Sequence, residues 1–171
     1  MGNKINMDLK KKIYLAGPDV FLPHPIEHGK KLSAICEEYG FEGLFPLDNV
    51  IEEADPLKLA QKIRVANIDF IDKCDIVIAN LSPFRGPEPD SGTVFEVGYA
   101  MAKGKIVLGY SSNMNSLLEK TRQILHLDSN ATRDNEELEI EDFGLTHNLM
   151  YAHCVVASNF EETLKYLKTN F

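Results

Sequence analysis

Five short apolar runs, each set apart by a longer stretch with helical spacing, constrain this chain most. Residues 12–16 (Lys-Ile-Tyr-Leu-Ala), 41–45, 76–81 (Ile-Val-Ile-Ala-Asn-Leu), 105–110 (Lys-Ile-Val-Leu-Gly-Tyr) and 154–156 (Cys-Val-Val) read as strands. Between them, residues 26–39 put Ile26, Leu32, Ile35, Cys36 and Tyr39 on one helical face. Asp55-Pro56 opens a helix running to residue 73, with proline at the tolerated first position. Residues 115–125 form at most a short helix, and the last helix covers 158–167 with Ser158 as its cap. Strands that alternate with helices form a parallel sheet with helices on both faces. With right-handed crossovers, five strands give the α/β order 2-1-3-4-5, the flavodoxin-like or Rossmann-like arrangement.

That order has a chemical consequence. The chain reverses direction across the sheet between strands 1 and 3, and ligands of such sheets bind beyond the carboxyl ends of those strands. The loops arriving there, 17–21 and 82–91, are the richest in Gly, Pro and Asp. Asp90 or Ser91 then caps a helix. Val94, Phe95, Val97, Tyr99, Ala100, Met101 and Ala102 surround its axis, so burial nearly all round is expected, with Glu96 in the middle. A carboxylate there needs a partner or a task. The alternatives are a solvated edge or a buried arginine.

Asp90 and Glu96 are a candidate carboxylate pair facing one cavity, as glycosyl transfer requires. Burial would raise the Glu96 pKa and the helix N-terminus would lower it. Tyr14, at the end of strand 1, either donates to such a carboxylate or is a half-buried strand aromatic. Phe21 either stacks on a planar ligand or fills a local gap.

Composition removes several classes of function. A net charge of -8 argues against broad binding to nucleic acid or to anionic membranes. No apolar run approaches a membrane span, and the first residues lack a signal-peptide core. Cys36, Cys74 and Cys154 are odd in number and widely spaced, which reads as reduced core thiols and a cytoplasmic protein. His24 and His28 flank Pro25 and make a poor metal pair. Gly86, Gly92 and Gly98 are too far apart for a dinucleotide fingerprint, and neither a phosphate loop nor a Gly-x-Ser-x-Gly elbow is present. One domain over residues 1–171 is expected, with 1–11 as a flexible, Lys-rich lead-in and 128–142 as an acidic surface excursion.

Three motifs together carry more. They are Tyr14-Leu15-Ala16-Gly17-Pro18-Asp19-Val20-Phe21, Ser82-Pro83-Phe84-Arg85-Gly86, and Asp90-Ser91-Gly92-Thr93-Val94-Phe95-Glu96-Val97-Gly98-Tyr99-Ala100. With Asn148-Leu149-Met150 downstream, they resemble the nucleoside 2-deoxyribosyltransferases from about residue 12 onward. The resemblance implies the fold above and exchange of the base on a 2'-deoxyribonucleoside with retention at C1'. Glu96 matches the family nucleophile, which forms a covalent deoxyribosyl-enzyme. Tyr14 matches the tyrosine beside it, and Asp90 the aspartate that holds the 5'-hydroxyl. Gly17, Pro18, Phe21, Ser82 and Gly92 fall within the motifs and join the substrate-binding set. Asn148 and Met150 match residues that complete a neighbouring subunit's site, which implies a homo-oligomer. No metal or cofactor is implied.

Two departures concern the base. Asn67 stands where some members carry an aspartate that serves the leaving base; an amide hydrogen-bonds a base edge but delivers no proton. Val50 stands where some members carry glutamine, leaving Asp48 as a substitute contact. Asp69 and Asp72 fall on other helix faces. Two rival readings are a hydrolase of deoxynucleoside 5'-monophosphates and a non-catalytic nucleotide-binding domain. A carboxylate at position 90 repels a phosphate, and a binder has little use for Glu96.

Overall fold

In the computed structural model, which describes residues 10–171, strand alternation decides which side chains can meet. β1 (Lys12–Ala16), β2 (Glu42–Leu44), β3 (Ile76–Asn80), β4 (Ile106–Tyr110) and β5 (Val155–Ala157) form one parallel sheet in the order β2-β1-β3-β4-β5, as expected. β1 lies against β3 with Tyr14 opposite Val77 and Ala16 opposite Ala79. Successive side chains face opposite ways. Ile13, Leu15, Ile76 and Ile78 therefore join one core with α1 (Pro25–Glu38) and α5 (Phe160–Asn170), through Leu32, Cys36, Phe160 and Leu164. Tyr14, Ala16, Val77 and Ala79 join the other, against α2 (Pro56–Lys73) and α3 (Ser91–Ala102), through Ile71, Val97 and Ala100. A one-residue slip of β1 would exchange the two sets. Register thus brings Tyr14 to the α3 face.

Local chemistry accounts for the helix ends. Asp55 caps α2, its Oδ1 accepting from the amides of Leu57 and Lys58. Asp90 caps α3, which settles the choice between Asp90 and Ser91. Gly104, at φ 70°, takes the left-handed turn that ends α3. α4 (Leu117–Ile124) carries a reciprocal cap between Ser116 and Glu119. Gly29 of α1 sits on the Phe45 ring, where a Cβ would collide.

Three expectations are corrected. α3 is not buried all round: Thr93, Val97 and Ala100 are, but Phe95 and Gly98 are exposed, because one side of the helix borders a cavity rather than the sheet. The cap of α5 is Asn159, whose Oδ1 accepts from the Glu162 amide; Ser158 instead donates to the Glu162 carboxylate. Ile26 is exposed, one turn before α1 meets the sheet. The expected lead-in falls outside the described residues up to residue 9, and Lys10 and Lys11 are exposed. The excursion at 128–142 holds one isolated bridge, between Arg133 and Glu139. Cys36, Cys74 and Cys154 are free and buried. No helix among the described residues is long and apolar enough to cross a membrane.

Candidate active site

α2 and α3 diverge above the carboxyl ends of β1 and β3, leaving a cavity of about 790 Å³. α2 lines it with Leu59, Ile63, Arg64, Asn67 and Ile68, all on one helical face. Gly92, Phe95 and Glu96 of α3 form a second wall. Phe21 and the 46–51 connection close the rest. The walls are mostly apolar with a few polar groups, the usual make-up of a small-molecule site.

Glu96 is the polar centre. Its Oε1 accepts from Tyr14 Oη at 2.8 Å and from Asn67 Nδ2 at 3.2 Å. Among the described residues no lysine or arginine forms an ion pair with it, so a buried arginine is not its explanation. Burial pushes its pKa up to about 7; the Tyr14 and Asn67 hydrogen bonds pull it down, and the Asp90 charge pushes it up. Burial, then the neighbouring Glu96 charge, raises the Tyr14 pKa, so the phenol keeps its proton and remains a donor. Asn67 leaves its Oδ1 buried with no protein partner. Asn67 lines the cavity, while that orphaned acceptor is itself closed off from solvent.

Asp90 uses Oδ2 for the helix, accepting from Thr93 N at 2.9 Å and Thr93 Oγ1 at 3.1 Å. A Cβ on Gly92 would come within 3.1 Å of that same oxygen, so glycine keeps the cap intact at the cavity wall. Phe21 stacks on Phe84, ring centroids 5.5 Å apart, and the Arg85 guanidinium lies 5.3 Å from the Phe21 centroid and 4.6 Å from that of Phe84. Part of the surface expected to stack on a ligand is therefore already covered.

Of the residues read from sequence, the cavity gathers Phe21, Asn67, Gly92 and Glu96, with Tyr14 bonded to Glu96 from beneath. The others stand outside its lining. Gly17 leaves room for Asp19, which accepts from Asn80 Nδ2 at 3.1 Å. Pro18 starts a 3-10 turn. Asp48 folds back on its own turn, accepting from the Phe45 amide at 2.7 Å. Ser82 Oγ accepts from the Ser112 amide. Asn148 is satisfied within its own chain, donating to Glu141 and accepting from the Met150 amide, and Met150 is 71% exposed. Asp69 and Asp72 pair with Lys73 and Lys103, away from the cavity.

Sequence reasoning missed Arg64, Ile51, Phe95 and the apolar face of α2 as lining. The signal was available: α2 carries more apolar residues than one sheet contact uses. Of these, Ile63 lines the cavity and remains 40% exposed.

The model for nucleoside 2-deoxyribosyltransferases matches residues 13–150. The chain is 36% identical to a 2-desoxiribosyltransferase from Leishmania mexicana, with a TM-score of 0.76 over 94% of this chain and 98% of that one. A conserved protein from Enterococcus faecalis V583 shares the fold at 20% identity, TM-score 0.58, over 95% and 100% of the two chains. Uncharacterized protein C191.05c of Schizosaccharomyces pombe is 37% identical over 115 residues, covering 64% of this chain and 54% of that protein. The chain thus spans about half the length of that curated relative. The matched stretch contains the cavity residues and the Tyr14–Glu96–Asn67 cluster, and the chain belongs to the nucleoside 2-deoxyribosyltransferase family.

Proposed function

We propose that the protein exchanges nucleobases on 2'-deoxyribonucleosides through a deoxyribosyl ester of Glu96. The observation that carries this reading is the half-buried Glu96 carboxylate, bonded through one oxygen to Tyr14 and Asn67 on the wall of an apolar cavity. Glu96 attacks C1', the C1'–N bond breaks, and its electron pair leaves with the base. A nitrogen of a second base then attacks C1' and returns Glu96 as a carboxylate. Two inversions amount to retention. Tyr14 orients the nucleophile and stabilises its ionised form. The Asn67 amide turns its unpaired Oδ1 toward the entering base and accepts from one of its N–H groups. Asp90 Oδ1, the oxygen not engaged by the Thr93 cap, takes the sugar 5'-hydroxyl.

A 5'-phosphate would meet that same carboxylate, so the reading favours nucleosides over nucleotides. Asn148 and Met150 complete the site of a neighbouring subunit in a homo-oligomer. Three buried thiols suit the reducing cytoplasm, where base exchange would serve nucleotide salvage.

Incubation with deoxyinosine and adenine tests the reading. Deoxyadenosine and hypoxanthine are the expected products, and hypoxanthine without deoxyadenosine would make the protein a hydrolase instead. Glu96→Ala should fold with a native circular dichroism spectrum and form neither product. Retained exchange in that variant would remove Glu96 as nucleophile.

A further inference from the structure

Among the described residues, one side chain lining the cavity is cationic. Arg64 lies one turn before Asn67 on α2, on the same face, with Ala60 and Ile68 in line above and below it. It is exposed, and no carboxylate among the described residues comes within ion-pairing distance of it. A guanidinium with no protein partner, on the wall of a mostly apolar cavity, is available to whatever enters.

What enters, on the reading above, creates a need for it. When Glu96 Oε bonds to C1', the electron pair of the C1'–N bond stays on the base, which leaves with developing negative charge. Asn67 is a neutral amide and supplies no proton. The Tyr14 phenol is committed to Glu96 at 2.8 Å and held protonated there. Among the described residues no other acid lines the cavity: Glu96 is the proposed nucleophile and Asn49 a second amide.

We propose that Arg64 is a further catalytic residue, whose guanidinium pairs with the negative charge on the departing nucleobase. A base whose edge meets Asn67 lies beside Arg64, because residues three apart on a helix are neighbours. A guanidinium stays protonated at any working pH, so it compensates charge and transfers no proton. The base anion takes its proton from water at the cavity mouth. In the second half-reaction the incoming base gives a proton to water, and Arg64 holds the resulting anion while its nitrogen attacks C1'. Placed charge of this kind, aimed at where charge develops, is a large catalytic effect.

The inference rests on the deoxyribosyl-transfer reading, and the test separates the two. Wild type, Arg64→Met and Arg64→Lys are compared on two donors, 2'-deoxyinosine and 7-methyl-2'-deoxyguanosine, whose base leaves without net negative charge. Arg64→Met should lower kcat about 100-fold on deoxyinosine and by less than about threefold on the methylated donor. Arg64→Lys, which keeps the charge without the fork, should recover part of the loss. Equal losses on both donors would mean that Arg64 positions or packs, and no loss on either would mean that it is a bystander; each result overturns the assignment. Arg64 is exposed on α2, so the variants should melt like wild type. A wild-type protein inactive on both donors would be a failure of the transfer reading itself, and the role of Arg64 would fall with it.

Discussion

The proposed attack needs Glu96 ionised, yet the residue sits where ionisation is disfavoured. Its pKa of about 7 expresses that tension: burial favours the acid, while Tyr14 and Asn67 favour the anion. Only the carboxylate is a nucleophile, so kcat/KM should rise with pH through about 7 and then level. Tyr14→Phe removes a hydrogen bond made to the charged form, so its acidic limb should move to higher pH while the protein stays folded. A pH–rate profile of both proteins decides the point; an unshifted limb would mean that Tyr14 does not set the ionisation of Glu96. Asn67 brings the opposite economy of charge. An aspartate there would stand about 3 Å from Glu96 and repel it, whereas the amide donates one hydrogen and keeps an acceptor free.

At the scale of elements, α3 serves two ends at once. Its N-cap, Asp90, stands just outside the cavity lining and is a residue of the proposed site, so on that proposal one side chain both starts the helix and holds the substrate. Asp90→Ala should cost about 1 kcal/mol in urea unfolding, because the Thr93 amide loses its acceptor, and should also lose activity. Asp90→Asn keeps a capping oxygen and should restore the stability without restoring the rate. If both substitutions leave stability untouched, the cap is not what fixes the start of α3. α2 contributes differently. Its face toward β1 and α3 packs through Phe70 and Ile71, while its earlier turns, from Leu59 to Ile68, turn to the cavity. Leu59, Ile63, Asn67 and Phe70 recur every three or four residues, so one face of the helix lines the cavity in its early turns and packs in its last.

For the whole molecule, the proposal that copies share a site is open to a direct test. Asn148 and Met150 stand outside the cavity of their own chain, beside the exposed Leu149. Glu96→Ala and Asn148→Ala proteins should each be inactive alone. After mixing and subunit exchange they should regain activity, since one mixed site then has both residues intact. No recovery, with exchange verified by mass, would place Asn148 in the service of its own chain. The five strands and their order were legible in the pattern of apolar runs, because parallel β-α alternation admits few topologies; of the two loops expected at the crevice, 17–21 reaches the cavity and 82–91 does not, its place being taken by α2. Glu96 was legible too, as a carboxylate in an apolar helix. The one-sided burial of α3, the engagement of Asp48 and Ser82 by their own turns, and the entry of Arg64 into the cavity were not. Helical and strand periods fix which face a residue occupies. What that face meets depends on how far two helices diverge, and only the packed molecule determines that distance.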